Sequence, residues 1–83
     1  MRIKTSQTEL TNLYEQILQD HIFQTTYDNH NFKYMWTDYE DAYGDLRHIC
    51  VSFYNHKVET ISFYLHETVE GRGYKNIVTL STY

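Results

Sequence analysis

The chain has no proline, one cysteine, three glycines and one alanine in 83 residues. With the single thiol of Cys50, no disulfide can close within the chain, which excludes a small secreted scaffold held by bridges. No apolar run approaches the ~20 residues that a membrane helix requires. The opening Met1-Arg2-Ile3-Lys4-Thr5-Ser6 leads into a polar segment, not an apolar leader. Neither a signal peptide nor a membrane partner is expected, and the expected location is cytoplasmic. Bases are also scarce: seven Lys and Arg stand against eleven Asp and Glu. They are scattered singly, whereas a nucleic-acid binder carries a basic patch or stripe, so no direct contact with nucleic acid is expected.

What is present is aromatic. One Trp, nine Tyr and four Phe supply enough ring area for the core of one domain over residues 1–83, and argue against disorder. Tyrosine serves half-core, half-surface positions, so such an excess on a small sheet is divided between structure and contact.

Residues 6–22 read as an amphipathic helix. Ser6 followed by Glu9 has the spacing of a capping box. Leu10, Leu13, Tyr14, Ile17 and Leu18 recur at helical spacing, with Ile22 one turn on. Residues 24–31 are polar and read as a loop or an irregular edge. The period then becomes two. Phe32, Tyr34 and Trp36 share one face of a first strand, opposite Lys33, Met35 and Thr37. Strands follow at Arg47–Tyr54, Glu59–Glu67 and Tyr74–Ser81, with turns expected at Gly44 and at Gly71-Arg72-Gly73. The expected fold class is α+β: one N-terminal amphipathic helix packed on a four-stranded antiparallel β-meander. In the middle hairpin, pairing Phe53 with Ile61 sets Val51 against Phe63, Ile49 against Leu65 and Arg47 against Glu67, four complementary pairs. A shift by two residues preserves the same faces.

The net charge of −4 is concentrated in Asp38-Tyr39-Glu40-Asp41-Ala42-Tyr43-Gly44-Asp45, which holds four carboxylates and no base. Two readings stand. In one, this is a solvated connection between the first two strands, where charge discourages edge-to-edge association. In the other, Asp38, Glu40, Asp41 and Asp45 steer a protein partner with a basic surface, and Trp36, Tyr39 and Tyr43 anchor it. A small, acidic, single-domain chain of this kind is similar in style to phage-encoded inhibitors such as anti-CRISPR and anti-restriction proteins. That likeness is one of size and composition, carried by no motif, and it transfers no functional residues. The second face of the middle strands offers a competing contact surface, with His48, Tyr54, Tyr64 and His66 among small hydroxyls. A regulatory module, or a homodimer built on that face, is the alternative function.

Other chemistries find little support. In the favoured register His48 faces His66 with Cys50 nearby, but no tight Cys or His pair completes a metal site, so neither metal nor cofactor is expected. His48 and Cys50 point the same way along one strand, yet nothing in the sequence orients the histidine, so an enzyme is not expected. Counted from Asp38, an EF-hand loop fails at Ala42 and Tyr43. Gly71-Arg72-Gly73 lacks the Gly-Lys-Ser/Thr of a phosphate loop.

Overall fold

A computed structural model describes residues 1–29, 31–66 and 73–83. It is α+β, with one helix on one face of a six-stranded mixed sheet. The elements in chain order are β1 (Arg2–Lys4), α1 (Gln7–Asp20), β2 (Gln24–Asp28), β3 (Phe32–Glu40), β4 (Leu46–Tyr54), β5 (Lys57–His66) and β6 (Tyr74–Ser81). Across the sheet they run β1-β6-β5-β4-β3-β2, antiparallel from β2 to β6, with β1 parallel to β6.

Ser6 caps α1 as its sequence requires: its hydroxyl accepts from the Glu9 amide at 3.1 Å. The reciprocal half of the box is replaced, because the Glu9 carboxylate takes the Thr5 hydroxyl. The helix ends at Asp20, with the His21 amide donating to the Ile17 carbonyl. The expected continuation to Ile22 is therefore corrected, and Ile22 is 92% exposed. The chain has to leave the helix there so that Phe23 can pack on the core and Gln24 can pair with Trp36. The buried Thr37 hydroxyl donates to the Ile22 carbonyl at 3.0 Å and pins the exit.

Leu10 and Ile17 from the helix bury against Met35, Ile49, Val51, Phe53, Val58 and Ile61, with Leu13, Tyr14, Phe23, Tyr39, Phe63 and Leu80 packed around them. In β3 it is the Met35 and Thr37 side that faces this core.

The four-stranded meander is corrected to six strands. The four expected strands are present, the polar stretch after the helix takes the irregular-edge alternative as β2, and β1 is added at the other edge, neither with a readable period. β1 has three exposed residues and is held by amide bonds from Thr5 to Ser81 (2.7 Å) and from Thr79 to Met1 (2.8 Å). β2 has five exposed residues and a bulge between Thr25 and Tyr27, so neither face alternates with burial.

The hairpin register is corrected too. Val51 faces Ile61, Ile49 faces Phe63, and His48 faces Tyr64 rather than His66. The cause is the turn. Asn55 and His56 have φ of 49° and 67°, a two-residue connection with both residues left-handed, which pairs Tyr54 with Lys57. A bulge between Ser52 and Phe53 absorbs one residue and returns Val51 and Ile61 to the core face. Arg47 pairs with Leu65, while Glu67 and the Gly71-Arg72 part of the expected turn lie outside the described residues.

Because His56 holds a conformation unfavourable to a β-carbon, His56→Gly is expected to stabilise the fold by about 1 kcal/mol. The urea midpoint should rise at unchanged slope. A lower midpoint would show that the turn does not have this geometry.

Candidate functional site

The face of the sheet opposite α1 carries no second layer in the described residues, and the pleat decides what stands on it. On β3 these are Phe32, Tyr34, Trp36, Asp38 and Glu40, and on β4 they are His48, Cys50, Ser52 and Tyr54. Ser62, Tyr64 and His66 of β5 and Tyr74 and Thr79 of β6 continue the face. The eight-residue acidic stretch is thus divided. Asp38, Tyr39 and Glu40 finish β3, and only Asp41 to Asp45 form the connection.

Each acid then has its own setting. Asp38 lies opposite His48, and its Oδ1 accepts from His48 Nδ1 at 2.5 Å and from the Tyr74 hydroxyl at 2.9 Å. Tyr39 turns to the core side and meets the His21 ring at a tilt of 46°, with centroids 4.5 Å apart. Glu40 is exposed beside Gly44.

Asp41 organises the turn. Its Oδ1 accepts from the Tyr43 and Asp45 amides at 2.9 and 3.0 Å, and its Oδ2 accepts from Arg47 Nε at 2.9 Å. Gly44, at φ 84°, permits the bend where the sequence places a turn. Tyr43 stands at the apex, 89% exposed, with Asp45 beside it. Two of the four carboxylates are thereby committed to internal partners, although Asp38 stays half-exposed, and Glu40 and Asp45 are exposed with no side-chain partner among the described residues.

Around Asp38 the structure gathers a cluster from four strands. The His48 ring stacks between Tyr74 (4.4 Å, 24°) and Trp36 (5.7 Å, 27°), and meets Tyr64 edge-on at 5.6 Å. His66 meets Tyr74 edge-on at 5.3 Å, and its Nδ1 is buried with no hydrogen-bond partner among the described residues. Below His48, its Nε2 lies 3.0 Å from the sulfur of Cys50, a residue only 5% exposed. Since an ionised carboxylate can only accept, Asp38 fixes the proton of a neutral His48 on Nδ1 and leaves Nε2 to accept from the thiol.

Four groups here are shifted from their ordinary values, and Tyr34 is one of them, pushed up by burial first and then by the neighbouring Cys50. Burial pushes the Cys50 thiol up; the Tyr34 hydrogen bond lowers it and the Asp38 charge raises it further. Burial raises Tyr74, as does its bond to Asp38. At Asp41 partial desolvation acts upward, but the Arg47 bond, the Asp45 and Tyr43 amides and the Arg47 charge together hold the carboxyl below its usual range.

Of the residues singled out in the sequence, Trp36, Asp38, His48, Tyr64 and His66 come together on the open face. Glu40, Tyr43 and Asp45 form its acidic rim, Tyr39 and Asp41 serve the fold, and Tyr54 is exposed at the far end of β4. Sequence reasoning missed Tyr74 and Tyr34, which required the strand order, and it missed Asp38 as the group orienting His48, which required the β3–β4 register. Among the described residues no group of His, Cys, Asp and Glu has the arrangement of a metal site, and no helix is long and apolar enough to cross a membrane. Compared with protein-family models, curated proteins and solved structures, the chain matches none.

The depressed Asp41 carboxyl makes a linkage prediction. Its folded-state value lies below the ordinary 3.8 of an aspartate. Its contribution is therefore present above that value, and is lost as pH falls through the folded one. Asp41→Asn is expected to lower stability at neutral pH and to flatten the acid limb of a thermal-melting series. A variant whose acid limb matches that of the parent would contradict the pairing.

Proposed function

We propose that this protein is a non-catalytic binding domain that inhibits or regulates another protein through the acidic end of its uncovered sheet face. One observation carries the reading: aromatic side chains from four strands are locked by mutual stacking beside a rim of exposed carboxylates, on a face that nothing in the described chain covers. Locked rings lose little freedom when they dock, which is what makes aromatic anchors effective. Glu40 and Asp45 supply the long-range attraction, and Tyr43 stands exposed beside them at the apex.

A partner fitting this rim has a basic surface, of the kind with which nucleic-acid-handling proteins hold phosphates. Occupying such a surface, with carboxylates where phosphates otherwise lie, is the mode of inhibition that the style of the chain suggests. A second reading has its own support in the hydroxyl pairs Ser52–Thr60 (2.6 Å) and Ser62–Thr79 (3.0 Å). They satisfy one another and leave a flat strip suited to a second copy of the chain.

The structure dictates which variants test this. Neutralising all four acids would also break the Asp38 and Asp41 bonds, so the informative variant is Glu40→Gln with Asp45→Asn, which spares both. Affinity capture from a bacterial lysate with parent and variant baits is the experiment. We expect the parent to retain a partner that added nucleic acid displaces. We expect the variant to keep the parent's melting temperature while its association rate falls about tenfold at low salt and little at high salt. Undiminished association by the double variant would refute the acidic rim. A concentration-dependent dimer that Tyr64→Ala abolishes would favour the second reading.

A further inference from the structure

The only cysteine of the chain lies beneath this face, and its neighbours are those that a nucleophilic thiol requires. We propose that Cys50 is a modification site, a thiol that reacts with small uncharged electrophiles, hydroperoxides foremost, with His48 as its base and Asp38 as the positioning residue. The reading is independent of any protein partner.

Two observations carry it. The first is the chain of contacts from Asp38 through His48 to Cys50, at 2.5 Å on Nδ1 and 3.0 Å on Nε2. Nucleophile, base and orienting acid are thus in the order and within the reach that activation needs. The second is rigidity. The imidazole cannot swing away, because Trp36 and Tyr74 stack on it and the carboxylate holds one nitrogen.

The resting form follows from burial. Because burial holds the thiol protonated, it rests as a neutral S–H donating to His48 Nε2. Reaction then proceeds by general-base assistance. The sulfur lone pair attacks one peroxide oxygen, the S–O bond forms, and the O–O bond breaks. The thiol proton passes through His48 Nε2 to the departing hydroxide, which leaves as water. Cys50 is oxidised by two electrons to the sulfenic acid, and the peroxide is reduced by the same two. Asp38 stabilises the imidazolium formed along the way. The titratable groups facing this centre are Asp38 and Tyr34 from β3, Tyr64 and His66 from β5, and Tyr74 from β6.

The class of electrophile is set by access and charge. Cys50 is 5% exposed, so only a small molecule reaches the sulfur. Asp38 and Glu40 stand on the same face, so an anion is repelled. Among the described residues no Lys or Arg side chain hydrogen-bonds or pairs with the cluster to offset them.

The test is the rate at which hydrogen peroxide converts Cys50 to a sulfenic acid that dimedone traps, read by mass spectrometry of the intact chain. Native parent, urea-unfolded parent, His48→Gln and Asp38→Asn are compared across pH. We expect the native parent to react faster than the unfolded chain at neutral pH. His48→Gln should lose on the order of 10²-fold, the scale of a general base. Asp38→Asn should lose less, and should shift the pH profile of the rate. A native parent no faster than the unfolded chain overturns the proposal, and so does a His48→Gln variant as fast as the parent. If His48→Gln fails to fold, the native-against-unfolded comparison decides by itself.

Discussion

The structure depends on a two-residue turn. Asn55 and His56, both left-handed, leave β4 and β5 no freedom in where they meet. With the bulge at Ser52 and Phe53, this turn fixes Val51 against Ile61 and Cys50 against Ser62. A slip by one residue would move every core side chain to the wrong face. A slip by two would keep the core and rebuild the other face with different neighbours. Burial therefore selects between the first pair of alternatives, and only the turn selects between the second.

The two faces of the sheet are stabilised by different physics. On the α1 side the contribution is burial, with Leu10, Val51 and Ile61 fully excluded from water at the centre. On the open side it is mutual satisfaction of polar groups. The hydroxyls pair across strands, and Asp38 takes two donors. Such a face can be laid against a partner without leaving donors or acceptors stranded, since most of its bonds are already made. The buried Nδ1 of His66 is the exception among the described side chains. The proposed contact surface and thiol centre would both use this face and leave the helix-covered core side untouched.

How far the sequence could be read follows the same division. The Ser6 cap, the helical stripe and the alternation of β3 to β6 were legible because each rests on local spacing that burial enforces. β1 and β2 were not: three and five exposed residues at the sheet edges bury nothing, so no period marks them. The register was open to a two-residue shift, because Asn55-His56 lacks the glycine that usually marks such a turn. The acidic stretch looked like a unit, since composition does not reveal that Asp38 turns to His48 and Asp41 to Arg47. For the same reason nothing in the sequence orients His48. Its partner is ten residues away in the chain, directly across β3–β4 in space.

The central claim is that the sheet register assembles Trp36, Asp38, His48, Tyr64 and Tyr74 into one fixed cluster on the open face. Contacts between aromatic protons report on this directly, through a nuclear Overhauser spectrum of the protein in solution. The account predicts cross-peaks from the His48 ring to the rings of Tyr64, Tyr74 and Trp36. Cross-peaks from His48 to His66, with none to Tyr64, would place β4 and β5 in the shifted register and contradict it.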